Sequence, residues 1–348
     1  MMDNFIMPQI ETLKNNTDIK KRVLITAEGF EERSLSFLSA FNNDSFEDIM
    51  ICKYIPKKKS KYDKLNEIIN AKQSKAKITE LQYSRFEPFP FELEFINFLT
   101  NKTYEEIFVD ISVMSKYMIM QILCALATYK GTLKIIYCEP KNYAPKNAND
   151  IDKQGKALLL PSTGVQNIIR TPLLSSLIMQ HSPTLLVAFL SFNEQLIRAL
   201  LSECTPARLL LINGVPPSLL WREKATNDMH KSIINEYASD NLMDEQNLLI
   251  RKSSTLNYIE SFSILSDIYK SFGERYRIVI APTGSKMQAV ACALIKNCCE
   301  DIHIEYPTPE SFYIDGYSSS EINQIHQLVF YEYEKDINNI ASTYKLHG

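Results

Sequence analysis

The sequence predicts an α/β protein of two tandem, internally duplicated units, each built on a mainly parallel sheet, packed as a pseudo-dimer. Three observations predict this. A phrase recurs: EEIFVDISVMSKYMIMQILCAL at 105–126 and RYRIVIAPTGSKMQAVACAL at 275–294. Both read as a strand, a short polar turn, a Ser-Lys pair and an apolar helix, with Lys116 set against Lys286 at an offset of 170. The next stretches match as well, IIYCEPKNY at 135–143 against IEYPTPESF at 304–312, at an offset of 169. The openings match more loosely, RVLITAEGFEERSLSFL at 22–38 against TLLVAFLSFNEQLIRALL at 184–201, at an offset of 162. Apolar runs of strand length alternate with stretches of helical period, the pattern of βαβ units around a parallel sheet. A chain of 348 residues suits two domains.

Residues 1–20 read as a polar arm. Unit 1 is expected over 21–156. Within it, Arg22–Ala27 is a continuous apolar strand, Phe30–Phe41 a helix, Asp48–Tyr54 a strand and YDKLNEIINAK a helix. Ile78–Tyr83 reads as a further strand, and Phe91–Leu99 as a helix by its Phe and Leu spacing. Then come strand Ile107–Ile111, helix Ser115–Tyr129 closed by Gly131, and strand Thr132–Cys138. Residues 157–182 bridge to unit 2, expected over 183–320. That unit reads as strand Leu185–Phe189, helix Asn193–Glu203, strand Arg208–Ile212, one long helix Ser218–Ala238 and helix Tyr258–Phe272. Strand Arg277–Ala281, helix Ser285–Asn297 and strand Asp301–Tyr306 complete it, and 321–348 reads as a C-terminal helix.

Composition narrows the function. A net charge of −3 gives no overall attraction to nucleic acid or anionic lipid. No run of 18 apolar residues points to a membrane span, and the acidic start MMDNFIMPQIETLKNN lacks the pattern of a signal peptide. The seven cysteines show no CxxC spacing and no Cys/His cluster, so reduced thiols, a cytoplasmic location and no zinc or other cofactor are expected.

In parallel α/β sheets, ligands bind beyond the carboxyl ends of strands, where loops lead into helices. The repeated phrase puts Ser112, Ser115 and Lys116 at that edge in one half and Thr283, Gly284, Ser285 and Lys286 in the other. A cation in the first turn opposes the helix dipole by about 0.3–1 kcal/mol. Two at matched positions point to an anion above both helix ends, since backbone N–H groups and lysine together make a phosphate site. Thr283-Gly284-Ser285-Lys286 is not a P-loop: Met287 stands where a magnesium-binding hydroxyl is needed. No GxGxxG follows any strand, which excludes the usual dinucleotide fingerprint. The loop after the first strand, Glu28-Gly29-Phe30-Glu31-Glu32-Arg33, is matched by Leu190-Ser191-Phe192-Asn193-Glu194-Gln195, so Gly29, Arg33 and Ser191 join the candidates. Gly284 is read as allowing close backbone approach or a positive φ. Histidine chemistry is thin, with His230 the outlier beside Trp221, Arg222 and Lys224.

The strand, Thr-Gly-Ser-Lys turn and apolar helix resemble the CRISPR-associated Rossmann-fold sensor domains, and a tandem pair in one chain is similar to the SAVED arrangement of antiphage systems. The resemblance implies Rossmann-like units, with Thr283 to Lys286 contacting a cyclic oligoadenylate and Ser112, Ser115 and Lys116 in the other half. The first half lacks the Thr-Gly pair. The resemblance implies a nucleotide or oligonucleotide second messenger as ligand, a separate effector protein in bacterial antiphage defence, and a possible homo-oligomer. Two other roles fit the sequence. One is a protein-binding subunit of a defence complex, compatible with the aromatic residues between Tyr258 and Tyr344. The other is a metal-independent nucleotide phosphodiesterase of ring-nuclease type.

Overall fold

A computed structural model describes residues 5–14, 21–56, 59–100, 102–147, 150, 161–239, 248–314 and 317–346. The chain folds into two compact units. Unit 1 holds residues 1–118, 125–143 and 316–340, and unit 2 holds 119–124, 144–315 and 341–348.

The elements run in chain order. First come β1 (Glu11–Thr12), β2 (Arg22–Ala27), α1 (Ser36–Ala40), β3 (Asp48–Ile55), α2 (Tyr62–Lys72), β4 (Lys77–Ser84) and α3 (Phe89–Thr100). They are followed by β5 (Glu106–Asp110), α4 (Lys116–Ala125) and β6 (Thr132–Pro140). Next are β7 (Ser162–Thr163), β8 (Asn167–Ile169), β9 (Thr184–Phe189), α5 (Glu194–Cys204), β10 (Arg208–Val215), α6 (Trp221–Met229), α7 (Lys231–Ser239) and β11 (Leu248–Ser254). The chain continues with α8 (Tyr258–Phe272), β12 (Arg277–Ala281), α9 (Lys286–Cys298), β13 (His303–Ile304), β14 (Tyr306–Thr308) and β15 (Ser311–Phe312). Last are β16 (Ile322–Phe330) and α10 (Tyr333–Tyr344).

Unit 1 carries a seven-stranded sheet ordered β1-β16-β6-β5-β2-β3-β4. Its five strands from β6 to β4 are all parallel, and β16 and β1 add antiparallel at the β6 edge. Unit 2 carries a five-stranded, fully parallel sheet ordered β11-β10-β9-β12-β13. Counting each parallel set in chain order gives 3-2-1-4-5 in both units, the doubly wound order. The α/β architecture with two mainly parallel sheets is therefore as expected.

Burial on both faces explains the central strands. Arg22–Ala27 and Leu185–Phe189 read as unbroken apolar runs because helices cover both sides of a parallel sheet. In unit 1 an aromatic cluster fills one face. Phe37, Phe41 and Phe46 each lie within 6.1 Å of the Phe108 ring, which projects from β5. In unit 2 the corresponding layer joins Leu186, Ala188, Leu209 and Leu211 of the sheet to Ile197, Leu200 and Ile233 of the helices.

Three expectations are corrected, and one strand was not anticipated. The stretch from 321 is not one helix. Ile322–Phe330 is a strand paired in register with β6, and the helix starts at Tyr333. Its alternating INQIHQLVF pattern gains its meaning only from the β6 edge it covers. The described part of the bridging segment is built into unit 2, where β7 pairs with β15 and β8 with β14. The long helix over 218–238 is two helices meeting at His230. Leu248–Ser254 forms the edge strand β11, although its LLIRKSS reads weakly as a strand.

Candidate functional site

The strand order reverses beside the first strand of each unit, between β2 and β5 and between β9 and β12. The loops leaving those four strands, with the first helical turns they lead into, hold every ligand-binding candidate of the sequence reading, while His230 lies apart between α6 and α7.

In unit 1 the β2 and β5 loops touch. A Cβ on Gly29 would lie 2.7 Å from Val113 Cβ, so only glycine permits this approach. Ser115 caps α4, its Oγ accepting from the Met118 N–H at 3.2 Å. Two strand-end tyrosines hold that turn. Tyr54 OH accepts from Ser115 N at 2.7 Å and donates to the Val113 carbonyl at 3.2 Å. Ser115 Oγ donates to Tyr83 OH at 3.2 Å, and the two rings meet edge-on at 5.5 Å. Glu28 is buried and accepts from Tyr54 N and Ser60 Oγ.

Lys116 is the first residue of α4. It has no hydrogen-bond or ion-pair partner among the described residues, and burial alone brings its amine down to about 8. An uncompensated, desolvated cation at a helix N-terminus is unfavourable twice over. Ser112 lies inward. It is fully buried, donates through Oγ to Asp110 and accepts from Cys138 N at 2.9 Å, so its hydroxyl serves the fold rather than the loop surface. Arg33 is likewise inward and 1% exposed. Its Nη2 donates to Glu31 at 2.9 Å, and its guanidinium lies 5.9 Å from the ring centres of both Tyr137 and Tyr143.

Unit 2 repeats the arrangement with different fastenings. Thr283 is fully buried, and its Oγ1 donates to the Phe189 carbonyl, tying the β12 loop to the end of β9. Gly284 faces the same strand end: an added Cβ would stand 2.9 Å from Phe189 Cβ. Close approach, and not a positive φ, is what this glycine supplies. Ser285 and Gln288 form a full capping box on α9, with Ser285 Oγ accepting from Gln288 N and Gln288 Oε1 accepting from Ser285 N. Ser285 Oγ also donates to the Thr255 carbonyl at 2.7 Å. Lys286 is the first residue of α9 and half-buried. Ser191 carries a buried Oγ without a hydrogen-bond partner among the described residues.

The structure thus gathers Gly29, Ser115 and Lys116 at one switch point and Gly284, Ser285 and Lys286 at the other. It assigns Ser112 and Thr283 to holding their loops. The sequence reading missed Tyr54 and Tyr83, which reach Ser115 from other strands and leave no local signal. It also missed Gln288, which the S-x-x-Q spacing after Ser285 does announce. Among the described residues no group of His, Cys, Asp or Glu is placed to hold a metal ion. None of the seven cysteines forms a disulfide. No described helix is long and apolar enough to cross a membrane.

No protein-family model matches the chain, and no curated protein sequence matches it. Solved structures do match. One is Can2 from Sulfobacillus thermosulfidooxidans in complex with cyclic tetra-adenylate, at 15% identity and a TM-score of 0.26 over 39% of this chain. The match spans only 36% of the length of that Can2 chain. Another is a type III CRISPR defence DNA nuclease activated by cyclic oligoadenylate, at 9% identity and a TM-score of 0.47, covering 86% of this chain and 68% of that one. A third is a universal stress protein from Pseudomonas aeruginosa UCBPP-PA14, at 10% identity and a TM-score of 0.24, covering 94% of this chain and 98% of that one.

Proposed function

We propose that this protein binds a phosphate-bearing nucleotide, of the linear or cyclic oligonucleotide class, at the switch-point edge of its units, and that it serves as the sensor of a bacterial antiphage system whose effector is a separate protein. Lys116 carries the reading. A half-buried amine with no anionic partner among the described residues, held at a helix N-terminus by a fastened turn, is a site short of one negative charge. A phosphate supplies that charge and meets the backbone N–H groups of the same turn. Lys286 holds the matching place on α9. The capping box and the Tyr54–Ser115–Tyr83 bonds support binding over chemistry, because they fix the turns before any ligand arrives. The reading includes a cytoplasmic protein and two units derived from one ancestor, as the repeated phrases suggest.

The experiment is a thermal-shift series on the full chain with cyclic tetra-adenylate, other cyclic and linear oligonucleotides, and mononucleotides. A ligand at 100 times its dissociation constant raises stability by about 2.7 kcal/mol. A shift lost in Lys116→Ala and reduced in Lys286→Ala supports the proposal. No shift with any nucleotide defeats it. Chromatography of the recovered ligand reports whether it is cut.

A further inference from the structure

A short strap closes over the β2 loop of unit 1. Residues 317–319 are held there at three points. The Tyr317 ring meets Phe30 edge-on at 5.6 Å, Ser318 forms an isolated antiparallel bridge with Tyr143, and Ser319 N donates to the Asn142 carbonyl at 2.9 Å. Beneath the strap lies Glu31. One carboxylate oxygen accepts from Ser318 Oγ and the other from Arg33 Nη2.

Arg33 is poorly served by this partner. A guanidinium has five N–H donors in a planar fork that suits a two-pronged oxyanion. Here Glu31 takes Nη2 alone, and Nε and Nη1 are buried with no hydrogen-bond partner among the described residues. Buried unsatisfied donors are costly, and in a native fold they call for a reason. Tyr137 and Tyr143 flank the guanidinium, each ring centre 5.9 Å away.

Unit 2 repeats the device in neutral form. Ser162 pairs with Phe312 across β7 and β15, as Ser318 pairs with Tyr143. Ser162 Oγ accepts from Asn193 Nδ2 at 3.2 Å, and Asn193 follows β9 where Glu31 follows β2. The place of Arg33 falls to Gln195, whose Oε1 accepts from Gly164 N at 2.8 Å. Strap, serine and loop residue recur, but only unit 1 puts a carboxylate and an arginine there.

We infer that Arg33 is a latent phosphate-binding group of unit 1, and that Glu31 occupies it as an internal stand-in for the ligand's phosphate, tying its release to the 317–319 strap. This rests on the nucleotide reading above for the identity of the ligand, though not for its test. A phosphate that engages Nε and Nη2 together replaces a one-point contact with a forked one. The displaced Glu31 carries Ser318 with it, so an occupied site and a closed strap exclude each other.

The test compares thermal unfolding of the full chain in sodium phosphate and in sodium chloride at matched ionic strength. Glu31→Gln should respond to phosphate with an apparent affinity roughly tenfold above wild type, the scale of one charged hydrogen bond. Adding Arg33→Gln to that variant should return the response to the wild-type level. Equal phosphate responses in wild type, E31Q and the double variant overturn the inference. If E31Q does not fold, Ser318→Ala, which frees the same carboxylate from the strap, should raise the phosphate response, and an unchanged response counts against the proposal. The two readings fail separately. Nucleotide binding that needs Lys116 but is indifferent to E31Q leaves the sensor and removes the latch. A phosphate response confined to E31Q, with no nucleotide bound by wild type, does the reverse.

Discussion

Lys116 and Lys286 each begin the helix that follows the fourth parallel strand of a 3-2-1-4-5 sheet. They are the same residue at the same topological position in two units whose loops are fastened by different side chains. In the proposed site, the cation is the element shared by two turns whose clamps differ.

Removing the charge at Lys116 should stabilise the unliganded protein. Lys116→Met retains the aliphatic stem and deletes an uncompensated, desolvated amine. The expected gain is about 1 kcal/mol at pH 7, read by urea or thermal unfolding, together with loss of the nucleotide response. A destabilised variant would mean that the amine already has a partner.

Titration of Lys116 gives ligand binding a pH dependence. The amine lies near 8 in the folded chain, against an ordinary value of 10.5. Between these values the unfolded chain binds more protons, so stability of the free protein should rise from pH 8 to 10.5 and be flat with respect to this group below 8. A bound phosphate needs the protonated form. Affinity should therefore fall about tenfold per pH unit above 8, with proton uptake visible by calorimetry in buffers of different ionisation enthalpy.

Gly29→Ala should cost about 1–3 kcal/mol, because its Cβ meets backbone-fixed Val113 Cβ and no flexible side-chain end can yield. Val113→Gly in the same chain should restore much of the loss, measured by thermal unfolding. Independent effects of the two substitutions would place the strain elsewhere.

Glu305 predicts an acid limit for unit 2. Burial pushes its carboxyl up, but the nearby His303 imidazole, at 3.3 Å, and hydrogen bonds from Arg170 Nε and Cys204 Sγ outweigh burial and hold it at about 2. A lowered carboxyl stabilises the fold above its unfolded value of 4.5, and this contribution fades as pH falls from 4.5 towards 2. Glu305→Gln should lower stability by roughly 2 kcal/mol at neutral pH and flatten the acid limb of the unfolding curve.

The central parallel strands of both sheets were legible in the sequence because strands covered on both faces show as continuous apolar runs. Lys116, Lys286, Ser115, Ser285, Gly29 and Gly284 were legible because the repeat put them at strand-to-helix turns. Three features were not. Ser112 and Thr283 look like exposed turn hydroxyls, yet each turns inward to a bond that only the folded sheet supplies. β16 has the alternation of a strand, but a helix follows at once and its partner β6 lies far back in the chain. Arg33 gives no local sign of its two tyrosine neighbours, which come from β6 and the turn beyond it.

That distant pairing bears on how the protein folds. Pro140 and Ile322 are register partners, so β6 and β16 form an antiparallel hairpin whose loop is nearly all of unit 2. Closing a loop costs entropy that grows with the logarithm of its length, and long-range strand pairing is slow. Sheet completion in unit 1 should thus be the late kinetic phase. During synthesis β6 leaves the ribosome with a bare edge and waits for the rest of the chain. An order in which unit 2 compacts first shortens the effective loop, and it makes the second unit of the sequence a folding aid to the first.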